Sequence, residues 1–218
     1  MLRFYPFNMK TFHLLLFPLL LCSSTVSAQY QKATAEQKNE IIGKMQASGN
    51  INTMQCDFTQ VKEISILEDR STSEGKMFYK KTNKIRWEYT KPVHFGFSKD
   101  GKNMYALSGD KTATIPANQR KMFDGIGQIM ISGVSGAGLF NSSDFDTEFF
   151  VGSNDNKLVL VPKNKEVKDL YSSIQLYVSK PESRIHSIEL VEKSGDKTTI
   201  TLKNIQVNIA LNDGIFSE

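Results

Sequence analysis

The segment 75–92 is the feature that most limits what this chain can fold into. It reads GKMFYKKTNKIRWEYTKP, two strand-like runs joined by the polar turn 81–83. In the second run Ile85, Trp87 and Tyr89 alternate with charged residues. Side chains two apart in a strand share a face, so the pattern predicts a sheet with one large apolar face and one charged face. Such an apolar face must cover a core, a membrane or an apolar ligand.

The N-terminus has the pattern of a secretory signal peptide. Arg3 and Lys10 precede an apolar run at 12–21, and a V-S-A sequence at 26–28 forms a small-x-small cleavage site. The run is too short to cross a bilayer, which takes about 20 apolar residues. We therefore expect residues 1–28 to be removed on export and residues 29–218 to form a single domain.

Three alternatives remain open at this end: an uncleaved anchor helix, a start at Met9, and acylation of Cys22. Cys22 follows two leucines, whereas an acylation signal has small residues there, so cleavage after Ala28 is favoured. Cys56 is then the only cysteine, which excludes an intramolecular disulfide and fits a small buried side chain.

Removal of the signal peptide lowers the net charge of the chain from +4 to +2, because two basic residues are lost. This charge is too small and too evenly spread to indicate nucleic-acid binding.

The mature chain is predicted to be mainly β. A capping box at 34–37 and an apolar stripe through Ile41, Ile42 and Met45 predict a helix that Gly49 ends. About eleven strands are predicted after it, joined by short turns that favour antiparallel pairing. A sheet of that size with one apolar face should curl into an unclosed barrel.

The pattern turns helical between residues 118 and 134. Phe123, Ile126 and Met130 share one face there, and nearby glycines weaken the helix. Together with the N-terminal helix, this segment would cover the open side of the sheet. Low local stability is what a movable cover requires, so we interpret 118–134 as a lid.

No arrangement of residues for catalysis is recognisable in the mature chain. His94 and His186 lie in strand patterns without metal-ligand spacing, and Ser135 lacks the second glycine of a nucleophile elbow. The sequence therefore predicts a protein that is not an enzyme and holds neither a metal nor a cofactor.

A series of short motifs resembles the periplasmic outer-membrane lipoprotein carrier family, LolA. The motifs are D-F-T-Q at 57–60, G-K-M-F-Y at 75–79, N-K-I-R-W-E-Y at 83–89, Pro92, and D-G-K at 100–102. Each motif alone is weak, but their order is fairly specific. The resemblance implies an unclosed antiparallel barrel of eleven strands with a helical lid, which agrees with the strand count above.

The resemblance also implies a function. The family carries acylated lipoproteins from the inner to the outer membrane and holds their acyl chains in the concave face of the sheet. It implies a monomer in the periplasm, an inner-membrane lipoprotein-releasing transporter as donor, and no nucleic-acid partner. It does not identify the outer-membrane acceptor or the cargo.

The predicted lipid-binding residues are the large apolar side chains of the strands and the lid: Phe58, Met77, Tyr79, Ile85, Trp87, Tyr89, Phe97, Met104, Phe123, Ile126 and Met130. The family often has an arginine that ties the sheet to the lid, and Lys81 occupies that position. Lysine lacks the planar fork, so the latch is looser or absent.

Three other functions stay open at this point. The first is a lipid- or envelope-stress-sensing module of the same fold, and the second is a secreted hydrolase. The third is an outer-membrane barrel, which fits poorly because Lys and Glu punctuate the polar strand faces. The fold alone does not distinguish a carrier from a sensor.

Overall fold

A computed structural model describes residues 30–81, 83–116 and 145–217, and in these ranges most of the chain is β-strand. The helices are α1 (Ala35–Ser48), α2 (Lys165–Leu170) and a C-terminal 3-10 turn (Asp213–Phe216). The strands are β1 (Tyr30–Lys32), β2 (Thr53–Ile64), β3 (Asp69–Lys80), β4 (Lys84–Lys91), β5 (Phe95–Asp100), β6 (Met104–Ser108), β7 (Lys111–Thr114), β8 (Phe145–Gly152), β9 (Asp155–Pro162), β10 (Tyr171–Ser179), β11 (Ile185–Glu192) and β12 (Lys197–Val207).

The twelve strands form one antiparallel sheet in the order β1-β8-β9-β10-β11-β12-β2-β3-β4-β5-β6-β7. Strands β2 to β7 follow chain order on one side of the β12–β2 pair and β8 to β12 on the other, as short turns dictate, whereas β1 pairs with the distant β8. β1 and β7 are the two edges, so the sheet is unclosed. The predicted fold class, an unclosed antiparallel sheet with few helices, is confirmed.

The core lies on one face of this sheet, here named the inner face. Buried side chains alternate with polar ones along β2, β4, β10 and β12, and those from nine strands join α1 in one cluster. A single face can supply one continuous core only because the sheet curves around it. The opposite, outer face carries most of the charged strand residues.

α1 covers part of the inner face. Thr34 Oγ1 accepts a hydrogen bond from Gln37 N at 3.3 Å, and the Gln37 side chain accepts from Thr34 N at 2.9 Å, so the predicted capping box is present. The helix ends before Gly49, as predicted, and buries Ile41 and Met45 against the sheet. Its remaining residues are mostly exposed, so α1 is an attached cover rather than a core helix.

Two elements differ from the sequence-based prediction. β1 was not predicted, because three residues carry no readable alternation; β1 forms by pairing with β8. The short helix α2 between β9 and β10 was not predicted either, because its six residues are too few to show a helical period. The signal peptide, the lid segment 118–134 and the side chains of Phe123, Ile126 and Met130 lie outside the described residues.

The last ten described residues, 208–217, turn back onto the outer face and are named the C-terminal strap. Asn52 N donates to Asn208 Oδ1 at 2.8 Å where the strap begins. At its end Phe216 is fully buried, and Ser98 Oγ donates to the Phe216 carbonyl at 2.7 Å. The strap therefore ties the outer face of β3, β4 and β5 to the end of β12.

Candidate functional site

Four aromatic rings in mutual contact on the inner face form the most distinctive feature of the core. Phe58 and Trp87 stack with ring centroids 4.0 Å apart, and Tyr89 meets the edge of Phe58 at 5.2 Å. Tyr89 in turn stacks on Phe95 at 4.4 Å. The rings run from the buried Phe58 to the half-exposed Phe95. We name Phe58, Trp87, Tyr89 and Phe95 the aromatic ladder.

Strand register places these rings together. Trp87 lies between Met77 on β3 and Phe97 on β5, and Tyr89 pairs with Phe95. Phe58 is opposite Gly75, which has no side chain, so the Phe58 ring lies over that glycine and reaches β4. Cross-strand neighbours of this kind share a face.

The predicted lipid-binding residues in the described strands all lie on one side of the sheet. Tyr89 is half-buried, and the others are at most 6 % exposed: Phe58, Met77, Tyr79, Ile85, Trp87, Phe97 and Met104. Alternation was enough to place these side chains. Their role in binding lipid stays a prediction, because burial in a core and contact with a ligand require the same residue types.

Two polar groups lie among these apolar side chains, the Tyr89 hydroxyl and the Cys56 thiol. The Tyr89 hydroxyl donates to Gln60 Oε1 at 2.7 Å, and burial raises the pKa of that hydroxyl. Burial also raises the pKa of the Cys56 thiol to about 12. At neutral pH the thiol is therefore protonated, and protonated thiols are poor nucleophiles.

Lys81 lies in the turn between β3 and β4, as predicted. Its backbone amide donates to the Asn52 carbonyl at 2.7 Å, and its side chain is exposed. Within the described ranges that side chain has no ion-pair partner. A role as a lid latch stays a prediction.

Sequence reasoning missed the network on the outer face of β4. Arg86 Nε donates to Glu88 Oε2 at 2.7 Å, and Arg86 Nη1 donates to the carbonyl of Ile215 in the strap at 3.0 Å. His94 contacts the other oxygen of Glu88. Burial alone would raise the pKa of Glu88, but the hydrogen bonds from Arg86 and His94 outweigh it and lower the pKa. The charged alternation of β4 was the available signal, but nothing in it pointed to the distant strap.

Two clefts are also present, one beneath α1 and one on the outer face of the sheet. A cavity of about 350 Å³ separates α1 from β8, β9 and β10, and Glu40, Lys44 and Lys180 line it beside Met45. A cleft of about 450 Å³ on the outer face is lined by three lysines and two carboxylates. Their mixed lining suits polar ligands better than acyl chains.

The described residues contain no group of three or more His, Cys, Asp or Glu side chains that could hold a metal ion. Among them no helix is both long and apolar enough to span a bilayer.

The described strands form an unclosed antiparallel sheet around an apolar inner face. The profile of the family described as outer membrane lipoprotein carrier protein LolA matches residues 49–218. The chain belongs to this family, which confirms the resemblance read from its motifs.

Individual proteins are similar to this chain at low sequence identity. An outer-membrane lipoprotein carrier protein from Methylococcus capsulatus is 26% identical over 165 residues, covering 75% of this chain and 76% of the relative. An uncharacterized conserved protein from Thermus thermophilus has a similar structure, with a TM-score of 0.50 and 10% identity, covering 84% of this chain and 94% of the other. A LolA superfamily protein from Nitrosomonas europaea is similar with a TM-score of 0.45 and 12% identity, covering 83% and 97%.

Proposed function

We propose that this protein is a periplasmic carrier that binds the acyl chains of lipoproteins on its inner face and shuttles them from the inner to the outer membrane. In this role the protein is not an enzyme: it binds and releases cargo, and no covalent bond is made or broken. Membership in the LolA family supports the carrier class. The cargo, an inner-membrane transporter as donor and an outer-membrane acceptor are parts of the proposal.

The aromatic ladder is the observation that carries this proposal. It links a buried ring, Phe58, to a half-exposed ring, Phe95, through the ring of Tyr89, whose hydroxyl is paired with Gln60. An acyl chain that replaced part of the cover over these rings would keep an apolar surface along its length. Such a path favours long, flexible, apolar ligands over compact polar ones.

The energetics favour a ligand of this kind. Each methylene removed from water contributes about 0.8 kcal/mol, so a long acyl chain gains much by binding any apolar face. Aromatic rings and the flexible Met77 side chain can contact chains of different length. Release is then the harder step, because the same free energy holds the cargo in place.

Loading requires part of the cover to move, since the inner-face side chains are buried. α1 covers one part of that face with Ile41 and Met45. We propose that segment 118–134 covers another part, with Phe123, Ile126 and Met130 toward the sheet. In that arrangement the cover competes with the cargo, which lowers the free energy needed for release.

The decisive experiment is native purification from periplasm followed by mass spectrometry of bound lipid and lipoprotein. A Tyr89→Lys variant is expected to lose most bound lipid, because it places a charge among the rings of the ladder. The matched control is Phe78→Lys, which adds the same charge to a half-buried aromatic on the outer face of β3. Circular dichroism checks that both variants fold.

The outcomes separate the alternatives. Acylated lipoprotein on the wild type, retained by Phe78→Lys and lost by Tyr89→Lys, supports the carrier. A further assay then measures transfer of that lipoprotein to acceptor membranes, because a sensing module would hold lipid without passing it on. Equal lipid on all three proteins, or none on any, overturns the proposal.

A further inference from the structure

All the large apolar side chains that the described residues leave exposed lie at one end of the sheet. Those of Ile66 and Leu67 are in the β2–β3 turn, and that of Val93 is in the β4–β5 turn. We name the group the apolar rim, with these exposed fractions: Ile66 90%, Leu67 66%, Val93 63%, Leu170 61%, Phe95 46% and Val161 41%.

Strand direction puts these residues at a common end. Because all neighbours are antiparallel, the ends of β2, β4, β9 and β11 and the starts of β3, β5, β10 and β12 lie together. The turns 81–83, 101–103, 153–154 and 180–184 lie at the other end, and none of the exposed large apolar residues named above is there. In the part of the chain that the structure describes, one end of the sheet is therefore apolar and the other polar.

The β2–β3 turn projects well beyond the end of the neighbouring strand β4. β3 pairs with β2 back to Asp69, but with β4 only from Glu74 onward. Five residues of β3 thus extend past β4, a distance of about 17 Å at the usual rise of a strand. Ile66 and Leu67 occupy the tip of this extension.

The tip is braced rather than loose. Ser65 N donates to Asp196 Oδ1 in the β11–β12 turn at 3.0 Å, and Leu67 N donates to the Ile64 carbonyl at 3.2 Å. These bonds fix the backbone of the turn, and the Ile66 and Leu67 side chains on it expose apolar surface that water disfavours. A braced, exposed pair of this kind indicates contact with an apolar phase.

We propose that the apolar rim docks on a lipid bilayer, with Ile66 and Leu67 inserted among the lipids. A standard protein interface needs about 800 Å² of closely fitted surface on each partner. The rim instead spreads its apolar residues over separate turns of unequal height, to which a fluid bilayer adapts without shape complementarity. The outer end of the aromatic ladder, Phe95, is itself part of the rim.

Charge at this end indicates how the rim would bind. The turns at this end hold lysines and carboxylates in nearly equal numbers, four and five, over residues 65–68, 92–94, 109–110, 163–170 and 193–196. Without an excess of positive charge, anionic lipid gives no added attraction. Binding should therefore depend on apolar insertion and be insensitive to salt.

The test uses the full mature chain and vesicles without lipoprotein. Leu67→Trp is expected to show strong quenching of fluorescence by brominated phosphatidylcholine, whereas Glu182→Trp, in a turn at the other end, is not. The buried Trp87 gives both variants the same background. The double variant Ile66→Ser/Leu67→Ser should bind vesicles about a hundredfold more weakly, since each buried Ile or Leu side chain contributes about tenfold or more.

Several results would overturn the bilayer contact. Equal quenching of the two tryptophans, or no quenching in Leu67→Trp, would show that the apolar rim does not face the bilayer. Binding that requires phosphatidylglycerol and disappears in salt shows an electrostatic contact instead. Self-association in ultracentrifugation that the double serine variant abolishes, without vesicle binding, makes the rim an interface between copies. The role of this contact in loading and release rests on the proposed carrier function, but vesicle binding is measured without cargo, so either can fail alone.

Discussion

At the scale of single residues, Gly75 sets the geometry of the aromatic ladder. A Cβ at this position would collide with the Phe58 ring and with the Glu88 carbonyl oxygen. We expect Gly75→Ala to lower the free energy of unfolding by about 1–3 kcal/mol, the usual effect of overpacking. Gly43→Ala is the control, because nothing lies within 4 Å of its Cβ and alanine favours the helix. Urea unfolding measures both, and an unchanged midpoint for Gly75→Ala contradicts the close approach.

Asp100 gives the chain a pH-dependent turn. Its carboxylate accepts from Asn103 N at 2.7 Å, Lys102 N at 2.8 Å and the Tyr105 hydroxyl at 2.9 Å. The Asn103 amide is the largest influence, and together these donors lower the pKa of Asp100 to about 2. Because the folded-state pKa lies below the unfolded value of about 3.9, the stabilisation is complete above pH 4 and is lost as pH falls to about 2.

The corresponding experiment compares wild type with Asp100→Asn by urea unfolding across acid pH. The variant should be less stable at neutral pH, since its neutral amide is a weaker acceptor for the same donors. The difference should shrink between pH about 4 and about 2, where the wild-type carboxylate becomes protonated. A difference that stays constant with pH means that the turn does not depend on the charge.

At the scale of elements, the C-terminal strap is expected to stabilise the outer face through its buried ring. Phe216→Ala should lower the free energy of unfolding by about 3–5 kcal/mol, because it leaves a cavity under β4 and β5. Asp213→Ala is the control: its pairs with Lys80 and Lys84 are exposed to solvent, so their loss should change stability far less. Thermal unfolding compares the two. Similar losses in both variants would show that the strap is held by charge rather than by packing.

The elements also show what the sequence could predict. Alternation in β4 correctly placed Ile85 and Trp87 on the apolar face, and the capping box correctly placed the start of α1, because both signals are local. β1 and the strap depend on partners more than 100 residues away, such as the Tyr30 hydroxyl donating to Asp155 at 2.7 Å. No short window contains both sides of such a contact. The exposure of Ile66 and Leu67 likewise appears only once β4 is known to pair with β3 no further than Glu74.

At the scale of the whole molecule, the two ends of the sheet differ in a way that suits a carrier. α1 covers the inner face near Val178, toward the polar end, whereas the aromatic ladder approaches the surface at the apolar rim. A ligand that enters at the rim would meet the half-exposed Phe95 before the buried Phe58. Loading then requires the remaining cover to give way, and the lid segment is the part of the chain for which the sequence predicts low stability.

This competition between cover and cargo can be tested without knowing the natural ligand. We expect Phe123→Ser/Ile126→Ser to bind a long-chain fatty acyl probe several-fold to tenfold more tightly, because fewer apolar contacts of the lid must be displaced. The same variant should unfold at a lower temperature when empty, since those contacts also stabilise the fold. Titration of Trp87 fluorescence with the probe measures the affinity, and differential scanning fluorimetry measures the stability.

The matched control for the lid is Gln128→Ser, which changes the same segment on the predicted opposite side of its helix and should alter neither quantity. If the double variant is less stable but binds the probe no better, the segment belongs to the core and does not compete with cargo. If it binds more weakly, the two side chains contact the acyl chain directly and form part of the binding surface. Only tighter binding together with lower stability supports a lid that gives way to its cargo, because a cover must lose the contacts that the ligand gains.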